Sequence, residues 1–346
     1  MEQPRPPIDL RSDTVSVPTP AMLDAMMKAE VGDDVYGEDP TANRLERMTA
    51  ELLGKEAALF VASGTMANLI AIRAQTDPGD EAILDANSHC FYYEAGGYAA
   101  IAGVSFWLVE GERGIMRPEQ IASAIRPADV HCPPARLVII ENTHNRGGGS
   151  VYPVETVRGI GQVCGERGLR LHMDGARLFD ACIATGAEPT DYARHVDSVS
   201  ICLSKGLGCP VGSLVAGSRE FADRARRVRK MLGGGMRQIG YLAAAGVYAL
   251  EHHVERLAED HGHARLLADG IRGCAGLRLK YDPPETNMVY FDSLPPHTPE
   301  AVLGRLKAEG ILIGNMGGTT FRAVPHVGIS RADIERAVSV LQSAFG

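Results

Sequence analysis

Short apolar runs rich in β-branched residues recur through the first two thirds of the chain, at 57–62, 81–84, 104–109, 136–140, 169–173, 196–203 and 211–216. They have the length of strands, and turn-forming residues punctuate the chain around them, so each predicts a buried strand. Segments near 91–99, 118–125, 154–167 and 177–185 have helical character and lie between them. This alternation predicts the α/β class, with a large, mostly parallel sheet covered by helices on both faces. Ahead of it, Thr19-Pro20 and Asp39-Pro40 each place a polar cap before a proline at the first helical position. The second of these helices carries Leu45, Met48 and Leu52 on one face and stops at Gly54.

A long helical region covers 238–272, after which the pattern changes to strands at 277–281, 286–294, 311–313 and 319–324 with a helix at 298–309. A last helix starts at Ser330, whose hydroxyl and the Asp333 carboxylate have the spacing of a capping pair. The expected organisation is an N-terminal arm over 1–16, a large domain over 17–250 and a small α+β domain over 251–346. Residues 1–7 are a proline-rich tail, expected to be mobile.

Composition narrows the function classes. The 346 residues suffice for a large core, and a formal charge of −8 without a long basic run excludes nucleic acid as the main partner. The longest apolar run, over 241–250, is far short of the ~20 residues a membrane-spanning helix needs. Seven scattered cysteines with no Cys-x-x-Cys argue for a reducing compartment and against a disulfide frame or zinc site, so the expected location is cytoplasmic. No Gly-x-Gly-x-x-Gly follows a strand, and neither glycine triplet, 147–149 or 233–235, continues into a P-loop.

Three positions carry candidate chemistry. The apolar run at 196–203 breaks into Ser204-Lys205-Gly206, placing a lysine at the end of a buried strand. A lysine with a lowered pKa is the usual amine for a Schiff base with an aldehyde cofactor, although alone it reads more simply as a solvated turn residue. Asp174 ends the 169–173 run and is suited to the pyridinium nitrogen of pyridoxal phosphate, or to an ordinary turn. Ser63-Gly64-Thr65 follows the first strand and opens a helix, where free N–H groups and hydroxyls suit a phosphate or form a plain cap. Strand-end residues of an open α/β sheet face one crevice, so the three can meet.

Seven collinear stretches complete the pattern: 8–15 (IDLRSDTV), 31–40 (VGDDVYGEDP), 63–68 (SGTMAN), 141–145 (ENTHN), 174–177 (DGAR), 203–208 (LSKGLG) and 233–238 (GGGMRQ). Together they resemble the low-specificity L-threonine aldolases, pyridoxal 5'-phosphate enzymes of the aspartate aminotransferase fold, also called fold type I. The resemblance spans the chain from about Ile8 to the last helix.

The resemblance implies cleavage of L-threonine, L-allo-threonine and related β-hydroxy-α-amino acids to glycine and an aldehyde. It implies Lys205 as the Schiff-base lysine, Asp174 under the pyridinium nitrogen, and Ser63, Gly64 and Thr65 with Ser204 around the cofactor. Arg177 and Arg322 match the carboxylate-binding arginines, Arg177 also bordering the cofactor, with Ser12 as a third substrate contact. His89 matches a histidine stacked on the cofactor ring and His131 a second one near the β-hydroxyl. Which histidine, or a held water, acts as base stays open, and so does a cation near 145–150. Glu94, Arg229, Lys230 and Arg237 are weaker candidates, the last three for a neighbouring subunit's phosphate or a solvated helix face. Pro325 and Gly328 depart from the relatives' pattern around His326. The partners implied are a small amino-acid substrate and further copies of the chain, as a dimer or tetramer. The competing readings are another carbon–carbon or β-eliminating lyase, an aminotransferase, and a non-catalytic cofactor-binding protein.

Overall fold

The computed structural model describes residues 6–346, so Met1–Arg5 of the proline-rich tail lie outside the described residues. A two-residue strand, β1 (Ile8–Asp9), opens the fold. Seven strands then build the large sheet: β2 (Ala57–Val61), β3 (Glu81–Asp85), β4 (Ser105–Val109), β5 (Ala135–Glu141), β6 (Arg170–Asp174), β7 (Ser198–Cys202) and β8 (Ser213–Gly217). Their order is β2-β8-β7-β6-β5-β3-β4, and only β8 runs against the rest. All seven expected strands are present, within a residue or two at each end.

Neighbouring residues on each strand point to opposite faces, and both faces are dry except at the edge strand β4, where Trp107 and Leu108 are exposed. On β5, Val138 and Ile140 join one apolar cluster while Leu137 and Ile139 join another, beneath Leu69 and Ile72 of the helix Gly64–Gln75. This explains why the strands read as continuous apolar runs and not as alternating ones. Gly64 lets its helix lie close to the sheet, since a Cβ there would sit 2.7 Å from Cys202 Sγ.

The C-terminal region has its own core. Strands β9 (Leu277–Leu279), β10 (Val289–Ser293), β11 (Ile311–Leu312), β12 (Gly314–Gly317) and β13 (Thr320–Ala323) follow. Four of them form an antiparallel sheet in the order β12-β13-β10-β9, packed on the helices Leu257–Arg272 and Arg331–Phe345. β11 instead pairs in parallel with β1, and Ile8 and Leu10 are buried in this C-terminal cluster. The arm is therefore sewn to the part of the chain farthest from it in sequence.

Two helix expectations need correction. The segment near 91–99 is not one helix: a short helix His89–Tyr92 ends, and a separate short π-helix occupies Tyr98–Ala102. Ala95 and Gly96 adopt positive φ between them, which no right-handed helix accommodates. The region 238–272 is likewise two helices, Gly240–His252 and Leu257–Arg272.

Asp39 shows how buried polar groups hold this frame. It is fully buried; its Oδ1 accepts from Ala42 N at 2.9 Å, capping the helix Pro40–Leu53. Its Oδ2 accepts from Gly32 N at 3.2 Å and from Gly240 N at 2.9 Å, joining three segments. Asp39→Ala leaves three donors without a partner in the interior, and bonds to a charged acceptor contribute about 1.5–3 kcal/mol each. The expected outcome is a thermal midpoint lowered by several degrees or an insoluble product, with Asp39→Asn milder, as read by calorimetry.

Candidate active site

The strand ends that face one another across the sheet supply the site. Asp174 is the last residue of β6 and Glu141 the last of β5. Lys205 stands in the turn after β7, His89 opens the short helix after β3, and Ser63-Gly64-Thr65 joins β2 to its helix. A cleft of about 460 Å³ is lined by Lys205, His89, Arg177, Arg322, Ser12 and Arg146, among others. Lys205 Nζ has neither a hydrogen bond nor an ion pair among the described residues, and the lysine is half-buried.

Asp174 is the electrostatic centre. It is buried, its Oδ1 accepting from Ala176 N at 3.1 Å and its Oδ2 from the Asn68 amide at 2.7 Å. Burial by itself would raise its pKa, but His89, Lys205, the Asn68 bond and His172 outweigh it and hold the carboxyl below its ordinary value.

Asn68 uses both ends of its side chain. Its amide also donates to Glu94 Oε1 at 2.9 Å, while its carbonyl accepts from the Ser200 hydroxyl at 3.0 Å and from His172 Nε2 at 3.3 Å. His172 Nδ1 in turn accepts from the Ser198 hydroxyl at 2.9 Å. Burial pushes the His172 pKa down to about 4, so the ring is neutral and its two nitrogens can divide into one donor and one acceptor.

His89 Nδ1 bonds Glu94 Oε1 at 2.8 Å, and the His89 backbone N–H donates to Glu141 Oε2 at 2.7 Å. Burial lowers the His89 pKa, yet the bond to Glu94 and the Asp174, Glu94 and Glu141 charges outweigh it and leave it raised. Burial raises the Glu94 pKa against the pull of His89.

The arginines are placed less simply. Arg177 is buried, with Nε 2.6 Å from Asp13 Oδ2 and Nη2 2.7 Å from Asp13 Oδ1. One full edge of the guanidinium is thus occupied, and only Nη1 has no hydrogen-bond partner among the described residues. Asp13 stays well below the usual carboxylate range, because Arg177, Lys205 and Arg322 outweigh its burial. Arg322 Nη1 donates to Asn145 Oδ1 at 2.6 Å and Nη2 to Arg11 O at 3.1 Å, while Nε is buried without a partner. No carboxylate forms an ion pair with Arg322 among the described residues. Ser12 accepts from Thr14 N at 3.3 Å, and Ser12 and Thr14 both line the cleft.

Ser63 Oγ accepts from Met66 N at 3.2 Å, and the first turn of the twelve-residue helix Gly64–Gln75 presents its remaining N–H groups. Ser204 is half-buried beside Lys205.

Of the expected residues, Ser12, His89, Arg177, Lys205 and Arg322 line the cleft; Asp174, Ser63, Gly64, Thr65 and Ser204 do not border it, and His131 is farther removed. His131 lies in the turn before β5, at the opposite end of the strands from Lys205; its side chain is 86% exposed and its Nδ1 is 2.6 Å from Asp129. Within one chain this turn cannot reach the C-terminal strand ends. Arg229 is also corrected: it is buried, donating to Asp34 Oδ2 at 2.6 Å and Phe60 O at 2.8 Å, so it neither faces solvent nor stands free for a phosphate.

Asn68, Asp13 and Asn145 lie inside the motif stretches, but nothing local assigns them a partner. Glu94 gave only a weak signal. Their partners are 106, 164 and 177 positions away for the bonds to Asp174, Arg177 and Arg322.

The donors fit pyridoxal phosphate. Asp174 is held charged for a pyridinium, Lys205, whose charge acts on it, offers an unpaired amine in the cleft, and the helix start after Ser63 offers N–H groups to a phosphate. Fold and donor set together define a fold-type I pyridoxal-phosphate enzyme. The sequence model of the β-eliminating lyase family matches residues 9–293, and the chain belongs to that family, within it among the low-specificity L-threonine aldolases. It is 45% identical over 344 residues to low-specificity L-threonine aldolase 1 of Arabidopsis thaliana, covering 98% of this chain and 96% of that protein. It is 44% identical over 329 residues to the low specificity L-threonine aldolase of Escherichia coli strain K12, covering 94% and 96%. The solved threonine aldolase of Leishmania major superposes with a TM-score of 0.84 at 25% identity, covering 97% of this chain and 99% of that one.

The His172 assignment has a measurable pH consequence. An unfolded imidazole takes up a proton near pH 6.5, whereas the folded one waits until about 4. Between those values the unfolded chain binds more protons, so this residue makes stability fall as the pH falls, by roughly 3 kcal/mol across the window. Urea unfolding at several pH values between 7 and 4.5 should show a steeper acid loss for the native protein than for His172→Gln. Parallel curves would place a charged or solvated histidine there instead.

Proposed function

We propose that this protein cleaves L-threonine, L-allo-threonine and related β-hydroxy-α-amino acids to glycine and an aldehyde, acetaldehyde in the case of threonine. The observation that carries the reading is an unpaired Lys205 amine in a cleft it shares with Arg322, which has no carboxylate partner among the described residues, within the field of the charged Asp174 and its hydrogen-bond network. When bound, pyridoxal 5'-phosphate supplies an electron sink for the bond between Cα and Cβ.

The chain's own residues do the rest. Lys205 offers its amine to the cofactor aldehyde, Asp174 faces the pyridinium, and Ser63, Gly64, Thr65 and Ser204 hold the phosphate end. Arg322 binds the substrate α-carboxylate with its unpaired Nε, helped by Ser12 and by Nη1 of Arg177. Arg177 chiefly clamps the arm through Asp13, which is a different emphasis from two equivalent carboxylate forks. His89, made more basic by Glu94 and nearby carboxylates, takes the proton from the β-hydroxyl. His131 has no part in this scheme within a single chain.

The same reading extends to assembly and setting. The division into 1–16, 17–250 and 251–346 is supported by the separate apolar clusters, with the arm lodged on the C-terminal one. A homodimer or homotetramer is supported by exposed Val17, Met27, Tyr36 and Tyr241. A cytoplasmic setting is supported by seven free cysteines. No helix among the described residues is long and apolar enough to cross a membrane.

The test is a product assay on the cofactor-loaded enzyme. L-Threonine and L-allo-threonine should each give glycine with stoichiometric acetaldehyde, and Lys205→Ala should lose at least about a thousandfold in kcat, beyond what loss of a single positioning contact costs. Ammonia with a 2-oxo acid in place of acetaldehyde would identify an eliminating lyase instead.

A further inference from the structure

The charge lining the cleft exceeds what threonine requires. Lys205, Arg146, Arg177 and Arg322 border it, and no Asp or Glu does. Asp13 neutralises Arg177 from behind. On the reading above, Lys205 serves the cofactor and Arg322 the α-carboxylate. Arg146 is left over.

Its surroundings are all neutral. Nη1 donates to the Tyr93 hydroxyl at 2.9 Å, Nε to Asn87 Oδ1 at 3.3 Å, and the guanidinium lies 4.0 Å from the centroid of the Tyr92 ring. Nη2 has no protein partner, and no carboxylate pairs with Arg146 among the described residues. Three contacts therefore fix the orientation of the guanidinium without satisfying its charge, leaving its free end available to a planar anion.

The loop that carries it is also fixed. Asn145 N donates to Glu141 Oε1 at 2.9 Å, the Tyr290 hydroxyl donates to Asn145 O at 2.9 Å, and Asn145 Oδ1 holds Arg322. Consecutive residues thus steady two unneutralised guanidiniums, one through a side-chain contact and one as its own side chain. A substrate held by the first presents its β-substituent elsewhere in the same small cleft. A methyl group gains nothing from a guanidinium, whereas a carboxylate does.

We propose that Arg146 is a specificity-determining residue that recognises a second carboxylate, so that the cleft takes β-hydroxy-α-amino acids whose β-substituent is anionic, with β-hydroxyaspartate the simplest member. This rests on the aldolase reading and narrows its substrate class. The reaction balances without any co-reactant. The Cα–Cβ bond breaks, the β-hydroxyl loses its proton, Cβ becomes the aldehyde carbon of glyoxylate, and Cα gains a proton to become glycine.

The experiment compares kcat/KM for L-threonine and for L-β-hydroxyaspartate on the cofactor-loaded native protein, Arg146→Met and Arg146→Lys, with acetaldehyde and glyoxylate each read by a reporting dehydrogenase. The native protein should release glyoxylate, and the ratio of hydroxyaspartate to threonine efficiency should fall about tenfold or more in Arg146→Met, mostly through KM, with partial recovery in Arg146→Lys. Cofactor absorbance checks that each variant is loaded. A ratio unchanged in Arg146→Met overturns the assignment, and equal losses on both substrates overturn it by placing Arg146 on the shared α-carboxylate. Threonine cleavage without glyoxylate release sinks this inference alone; cleavage of neither by a loaded enzyme sinks the aldolase reading with it.

Discussion

A carboxylate kept charged in a dry interior is the constraint on which this site depends. Burying Asp174 is costly unless every lone pair that points inward is met, and the chain meets them with Asn68, a backbone N–H and the field of His89 and Lys205. Asn68 must in turn present its amide to two acids at once, which fixes its carbonyl toward Ser200 and His172. Burial keeps His172 neutral, so that with Nε2 donating to that carbonyl its Nδ1 is free to accept from Ser198. The order runs outward from one charge, and each neighbour's state is set by the one before it.

The same logic explains the division of labour among the cations. Arg177 is buried and is matched by Asp13 in a two-point fork, so its charge is spent on structure. Arg322 and Arg146 are held by amides, carbonyls and rings, which orient a guanidinium while leaving its charge unanswered. Sequence chemistry treats the three arginines alike. Their partners pair one with a carboxylate and leave the other two without one among the described residues.

Much of the frame was legible in the chain because it depends on local pattern. Apolar runs, buried on both faces in all but the edge strand β4, gave the seven strands of the large sheet, and Thr19-Pro20, Asp39-Pro40 and Ser330 gave helix starts that the caps match. The strand-end positions of Lys205 and Asp174 followed from the same runs. What was not legible depends on residues far apart: the Asp13 partner of Arg177, the amide bridge at Asn68, and the placement of His131 at the far end of the strands. The helix expected near 91–99 failed for a different reason, since helical composition on either side concealed a backbone reversal at Ala95 and Gly96. β12 was missed because its Gly-Asn-Met-Gly sequence has no strand signal of its own and is paired only through β13.

The pairing of β1 with β11 joins Ile8 to Ile311, so the arm that carries Ser12 and Asp13 is anchored by a strand made about three hundred residues later. Leu10, Arg11 and Asp9 likewise give their carbonyls to Val324, Arg322 and His326. On a ribosome the large sheet and its lysine emerge well before that anchor exists. A nascent chain therefore carries the Lys205 amine beneath an open roof, with Arg177 still awaiting its counter-charge, until the last strands are released. Synthesis order thus separates formation of the scaffold from completion of the pocket, and only a finished chain has both.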